Sequence, residues 1–99
     1  MIPKYAGFFW YRADQYERFK KISKDGHKLP DTHAHFVQFA EQGMQQARLA
    51  GWVPVKVDVD IDVFLAWCRA TGRDVDAQSR VDYANERVGE LLKAGELPG

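Results

Sequence analysis

The stretch from Val53 to Cys68 changes its hydrophobic period halfway, and this change constrains the fold more than any other feature of the sequence. At its start valine occupies every second position, alternating with proline, lysine and aspartate, which is typical of a strand with one buried face. From Ile61 onward the apolar residues follow helical spacing. We therefore expect a β-strand that leads directly into an amphipathic helix, with Asp60 as the helix N-cap.

A second strand is predicted near the amino terminus, where the segment Tyr5–Tyr11 is short and aromatic. Its large rings alternate between two faces, with Phe9 and Tyr11 on one side and Phe8 and Trp10 on the other. A strand with one face in water does not usually have this composition. Either both faces are covered within one chain or one of them meets a partner, so these four residues are the candidate partner interface.

Start signals, apolar spacing and glycine stops predict four helices around the two strands. The first should begin at Asp14, the second at Asp31 or Thr32, and the fourth near Asp76. The inner faces of the second and fourth helices should carry Phe36, Phe39, Ala40, Gly43 and Ala47, and Val81, Ala84, Val88 and Leu91 or Leu92. A glycine inside a helix costs about 1 kcal/mol, so Gly43 predicts a close crossing with a neighbouring element.

This order of elements predicts an α+β fold, β-α-α-β-α-α, in which a two-stranded sheet is covered by four helices. Ninety-nine residues are enough for a single domain, with a flexible tail over 96–99. Residues 5–51 and 53–95 match in plan, which indicates a pseudo-twofold internal repeat with all helices on one face; shared start and stop signals are the alternative. The sequence leaves open whether the strands are parallel or antiparallel.

The outer edges of a two-stranded sheet are open, so we expect a homodimer that extends it, unless a loop or Pro54 blocks the edge. Net charge is zero, but residues 1–52 carry an excess of three positive charges and residues 53–99 an excess of three negative charges. The two halves can attract one another within one chain or between two copies.

Composition narrows the class of protein. Apolar residues make up 45% and aromatic residues 13% of the chain, which indicates a folded domain. No apolar run follows Met1 and none could span a bilayer, so we expect no signal peptide and no membrane segment. The single Cys68 cannot form an internal disulfide and is interpreted as a small buried apolar residue in a reducing cytoplasm. Zero net charge argues against a dedicated nucleic-acid binder.

One basic cluster lies in the first helix and the loop that follows it. It consists of Arg18, Lys20, Lys21, Lys24, His27 and Lys28. With Trp10 and Tyr11 nearby in sequence, the cluster could bind the phosphates and stack the bases of single-stranded nucleic acid, or bind another anion. The alternative is that it forms the solvated side of an ordinary helix.

The three histidines, His27, His33 and His35, are close in sequence and are potential metal ligands. The last two are about 200° apart around a helix, so they cannot meet at one ion unless that turn is unwound. We interpret them as surface or helix-start residues and predict no metal site.

Asp58, Asp60 and Asp62 alternate at the end of the valine-rich segment and could hold Mg²⁺ or Ca²⁺. The glycine and the terminal glutamate of a calcium-binding loop are missing from the residues that follow. We interpret these aspartates as a solvated strand face and acids at a helix start. No cofactor is predicted.

Neither a glycine-rich phosphate loop nor a nucleophile elbow is present in the sequence. We therefore expect a non-catalytic protein–protein interaction module that acts as a homodimer. The first alternative is an accessory nucleic-acid or anion binder that uses the basic first helix. The second is a small ligand-binding protein or enzyme with a pocket between helices and sheet, and a cavity lined by Tyr16, Trp67 or Tyr83 with polar groups converging in it would favour this reading.

Overall fold

The computed structural model describes residues 3–97, and their elements follow the predicted order. Strands β1 (Lys4–Tyr11) and β2 (Trp52–Val59) form a two-stranded parallel sheet. The helices are α1 (Tyr16–Ile22), α2 (His33–Leu49), α3 (Ile61–Thr71) and α4 (Ala77–Lys93). Short 3-10 turns lie at Ala13–Gln15 and Gly26–Lys28. The α+β fold of β-α-α-β-α-α order is confirmed.

Side-chain caps start three of the helices where the sequence predicted them. Thr32, Asp60 and Asp76 each accept a hydrogen bond from a backbone N–H in the first turn of α2, α3 and α4, respectively. Asp14 does not act in this way: it lies in a 3-10 turn, and α1 begins two residues later without a side-chain cap. In the same turn Gln15 Oε1 accepts a hydrogen bond from Ile61 N at 2.9 Å, so this turn contacts the start of α3.

One face of the sheet packs against α1, α3 and α4 through an aromatic cluster centred on Phe9. The Phe9 ring makes edge contacts with Phe19 of α1, Phe64 of α3 and Tyr83 of α4, at centroid distances of 5.7, 4.9 and 6.0 Å. Such pairs add about 0.5–1.5 kcal/mol each to the free energy of unfolding beyond the burial of their area. The cluster therefore joins three helices to a single strand residue.

The opposite face of the sheet packs against α2, so the helices do not all lie on one face as the repeat hypothesis expected. The Trp10 ring meets Phe36 at 5.2 Å, and a Cβ built at Gly43 would lie 3.3 Å from the Phe8 ring. This contact confirms the predicted close crossing at Gly43. Because β1 is apolar on both sides, both sides need a cover, and the chain supplies both itself. That the two halves of the chain arose by duplication stays a prediction.

Helix α4 approaches the sheet closely at Gly7. A Cβ at this position would lie 2.9 Å from the carbonyl oxygen of Ala84 and 2.9 Å from Val88 Cγ2. Only a residue without a side chain allows the helix backbone to pack this close to the strand.

A buried ion pair fixes the first turn of α4. Arg80 is 7% exposed, and its guanidinium donates two hydrogen bonds to the carboxylate of Asp25, just before the second 3-10 turn. These hydrogen bonds hold the pKa of Asp25 below its ordinary value. The pair ties α4 to the connection between α1 and α2.

Two further observations concern the surface and the carboxyl terminus. Among the helices of residues 3–97, none is long and apolar enough to cross a membrane. In the expected flexible tail, Leu97 packs half-buried against the core. The remaining tail residues, 98 and 99, lie outside the described part of the chain.

Replacing Gly7 tests the close approach of α4. Gly7→Ala should lower the free energy of unfolding by about 1–3 kcal/mol, because α4 has to shift away from the strand. Gly89→Ala is the matched control in α4, since a Cβ there meets nothing within 4 Å. That variant should gain about 0.5–1 kcal/mol from helix propensity. Urea unfolding followed by tryptophan fluorescence measures both, and a Gly7→Ala variant as stable as the wild type would contradict the structure.

The Asp25–Arg80 pair predicts part of the pH dependence of stability. Because the pKa of Asp25 is lowered in the fold, its contribution is complete above the ordinary aspartate pKa of about 3.9 and is lost as the pH falls through the folded value. Asp25→Asn should be less stable than the wild type at pH 7, by about 1–3 kcal/mol, because Arg80 stays buried without a counter-charge.

The same variant should show a flatter decrease in stability during acid titration than the wild type, measured by urea unfolding at a series of pH values. Asp31→Asn, at an exposed position, controls for the loss of one carboxylate charge. Parallel curves for Asp25→Asn and the wild type would show that the buried pair does not contribute to the acid sensitivity.

Candidate functional site

Strand β1 is paired only with β2 in the sheet that residues 3–97 form. Ala6 lies opposite Pro54, which has no N–H to donate. In a parallel ladder a residue bonds to the two neighbours of the residue opposite, so Ala6 must bond to the valines on either side of Pro54. Along a strand, the N–H and C=O groups of successive residues point alternately towards one edge and towards the other. Gly7 and Phe9 therefore point their N–H and C=O groups away from β2, towards a free edge.

The end of this edge confirms the direction. Tyr11 is next in the outward-pointing series, and its carbonyl accepts a hydrogen bond from His33 Nε2 at 2.7 Å. A carbonyl can only accept, so His33 carries its proton on Nε2, and that nitrogen is not free to bind a metal. His27 and His35 are exposed. Within the described 3–97 range, no three or more His, Cys, Asp or Glu residues are grouped so that they could hold a metal ion.

An apolar groove runs along the free edge, with α2 on one side and α4 on the other. It consists of two lobes, of about 490 and 510 Å³, that meet at Gly7. We call it the β1-edge groove. The walls of the first lobe are formed mainly by Leu29, Pro30, Phe36, Phe39 and Ala40 on one side and by Ala77, Val81 and Ala84 on the other.

Two large apolar side chains of the groove are exposed although the sequence placed them on inner helix faces. Phe39 of α2 is 63% exposed and Val81 of α4 is 53% exposed. Adjacent strands lie only about 4.8 Å apart, so a sheet of two strands is too narrow to cover the full apolar stripe of either helix. Both stripes continue past β1, and the prediction that these two residues are in the core is wrong for the single chain.

Three of the four residues of the predicted partner interface line the groove. Phe8, Phe9 and Tyr11 contribute to its floor. Trp10 does not, because Phe36 of α2 covers one part of its ring and the Lys56 ammonium lies 4.4 Å from the ring centroid. The alternation of faces predicted which rings share a side, but not which side stays accessible.

Three of the five Lys and Arg residues of the predicted basic surface form ion pairs with acidic side chains. The ion pairs are Arg18–Asp62, Lys24–Asp74 and Lys20–Glu17, with N–O distances of 2.7, 2.8 and 3.8 Å. Lys21 and Lys28 are exposed and form no ion pair within residues 3–97. The surface therefore carries mixed charges instead of a continuous positive patch.

The three aspartates at the end of β2 do not converge. Arg12 binds Asp58 through Nε and Nη2 and binds Asp60 through Nη1, whereas Asp62 turns to the ion pair with Arg18. Hydrogen bonds from the backbone N–H groups of Val63 and Asp62 lower the pKa of Asp60, and Arg12 adds to this effect. Arg12 thus joins the carboxyl ends of the two strands.

The chain was also compared with protein-family models, with curated proteins and with solved structures, and no match was found in any of them. Function therefore has to be inferred from the geometry of the described residues. The feature that differs most from an ordinary small domain is the β1-edge groove.

Amide hydrogen exchange tests the orientation of the β1 backbone. The amides of Gly7 and Phe9 should exchange at least about tenfold faster than those of Phe8 and Trp10, because only the latter pair bonds to β2. Exchange followed by two-dimensional NMR resolves all four. Equal protection of the two sets would mean that something within the chain already covers the edge.

Proposed function

We propose that this protein is a non-catalytic protein–protein interaction module that binds an extended segment of a partner polypeptide along β1. One observation carries the proposal: the outward-pointing backbone groups of Gly7 and Phe9 lie at the floor of an apolar groove. An extended segment would pair its peptide groups with these and add a third strand to the sheet. The groove thus has the two elements of such recognition, a hydrogen-bonding edge and apolar walls.

The walls of the groove define the chemistry of the segment. Side chains of an added strand would alternate between the wall formed by α2 and the wall formed by α4. Both walls are apolar, so both sets of side chains should be apolar as well. The partner segment is therefore a continuous apolar run of about five residues, roughly 17 Å long, like strands that are buried on both faces.

Phe39 and Val81 are the most exposed large apolar side chains that line the groove. Covering a side chain of this size contributes about 1.5–3 kcal/mol, and each backbone hydrogen bond contributes about 1 kcal/mol. Against these gains stands the loss of translational and conformational freedom of the segment. The gains and the losses are of similar size, so the net affinity should be low, which suits a reversible interaction.

The homodimer expected from the sequence would place a second copy at the same edge. Because His33 closes the end at Tyr11, two β1 edges could pair only around Gly7. Helix α4 crosses β1 at Gly7, so the two α4 axes would lie about 5 Å apart, less than the 8–10 Å at which helices pack. We therefore favour, as the occupant of this edge, an extended segment that places no helix of its own near Gly7. A homodimer through another surface stays a prediction.

The proposal includes a reducing cytoplasmic setting, which the single free thiol of Cys68 supports. Cys68 is buried, and this burial raises the pKa of the thiol and makes it a poor nucleophile. The ion pairs in the basic cluster argue against the nucleic-acid alternative, because they neutralise charges that would bind phosphates.

A labelled probe peptide, acetyl-Lys-Val-Ala-Val-Ile-Val-Lys-amide, tests the groove by fluorescence anisotropy. Two analogues are compared with it, each N-methylated at one of the two alternating sets of residues. Only one set can face β1, so one analogue should bind like the probe and the other at least about tenfold more weakly.

Val81→Lys should weaken binding of the same probe at least about tenfold, because it places a charge in the apolar wall. Val63→Lys is the matched control on α3, since Val63 is 57% exposed and Val81 is 53% exposed. Equal binding of both methylated analogues, or equal losses in both variants, would contradict the proposal. Sedimentation of the protein alone completes the test: a dimer that Val81→Lys dissociates would make a second copy the occupant.

A further inference from the structure

A second concave surface lies at the carboxyl ends of the two strands, apart from the β1-edge groove. It is a polar cleft of about 430 Å³ between β2, α3 and α4, and it shares no lining residue with the groove. We call it the strand-end cleft. Val63 and Trp67 of α3 form its apolar wall.

The strand-end cleft carries an excess of negative charge. It is lined by the carboxylates of Asp58, Asp60, Glu86 and Glu90 and by the guanidinium groups of Arg12 and Arg87, which leaves two negative charges in excess. Both arginines are already engaged, Arg12 by the two aspartates and Arg87 by Glu90 at 2.6 Å. The cleft therefore offers acceptors, and no guanidinium is left free to bind an anion.

Tyr83 lies at the floor of the cleft and is an independent sign of a ligand. The residue as a whole is 8% exposed, and its hydroxyl has no hydrogen-bond partner within residues 3–97. The charges that act on this hydroxyl belong to Arg87, Glu90, Glu86 and Asp60, which all line the cleft. Ser23 Oγ is the one enclosed side-chain oxygen without a partner in the described part of the chain, so the unpartnered Tyr83 hydroxyl is open to the cleft and available to a bound molecule.

We propose that the strand-end cleft binds a small aliphatic amine. Its ammonium group has donors only, which suits the acceptors that the cleft presents, the Tyr83 hydroxyl and the carboxylate of Glu86. Its methylene groups lie against Val63 and the edge of Trp67. The Trp67 ring already contacts Phe64, stacked at a centroid distance of 6.1 Å, and a cation, the Arg73 guanidinium, which lies 5.0 Å from the ring centroid. The ammonium group is therefore held by oxygen atoms and not by an aromatic face.

The indole N–H of Trp67 is a natural reporter, because it donates a hydrogen bond to Glu86 Oε2 at 3.2 Å. The chain has three tryptophans, and Trp67→Phe identifies the signal of Trp67 in an NMR spectrum. Titration with 1,4-diaminobutane at constant ionic strength should give a saturable shift of this signal. The neutral isostere 1,4-butanediol should give none.

Tyr83→Phe keeps the ring and removes only the hydroxyl, so it should raise the dissociation constant of the diamine about three- to tenfold. Glu41→Gln removes one exposed carboxylate from α2, on the other face of the sheet, and should leave the constant unchanged. Three results would overturn the proposal: an equal shift with the diol, an unchanged constant in Tyr83→Phe, or an equal loss in Glu41→Gln. Peptide binding in the β1-edge groove is a separate measurement, so either proposal can fail without the other.

Discussion

The contact between α4 and β1 at Gly7 is the constraint on which the arrangement of the molecule depends. It places the helix backbone directly against the strand, beside the point where Phe9 enters the aromatic cluster. The buried pair of Arg80 and Asp25 then fixes the start of the same helix. With one face of β1 covered in this way and α2 across the other face, only the edge of the strand is left accessible. The β1-edge groove is thus a consequence of how tightly the two faces are covered.

The charge asymmetry between the two halves is resolved within the chain. Residues of the first half form ion pairs with acids of the second, as in Arg12–Asp58, Arg18–Asp62 and Lys24–Asp74. Each exposed pair contributes only about 0–1 kcal/mol, so their effect is on the orientation of the halves more than on stability. The opposite charges of the two halves could also have attracted two copies of the chain to each other. In the structure they are paired within a single chain.

The features that the sequence predicted correctly depend on neighbours along the chain. The change of period at Asp60 and the caps at Thr32 and Asp76 involve contacts within a few residues, so propensity alone locates them. Phe39 and Val81 could not be placed in this way. Periodicity shows which face of a helix is apolar, but not whether another element reaches that face. A sheet of two strands is too narrow to reach the full apolar face of either helix.

The strand-end cleft could not be predicted from the sequence, for a related reason. Its residues come from four segments that meet only because the strands run parallel, and the sequence left that direction open. Trp67 and Tyr83 were nevertheless among the residues expected in any pocket, since large side chains with a polar atom are typical of binding cavities. The identity of such residues can be predicted, whereas the partners that gather around them depend on the fold.

The pairing of β1 with β2 also has a consequence during synthesis of the chain. Lys4 pairs with Trp52, so the partner of each β1 residue follows 48 positions later. At a translation rate of about 5–20 residues per second, roughly 2–10 s pass between the synthesis of the aromatic strand and that of its partner, and both edges of the strand are open during this time. Lys4 and Arg12 stand immediately before and after its aromatic core, where charged gatekeeper residues slow aggregation. These two charges thus protect the nascent chain against aggregation until β2 has been synthesised.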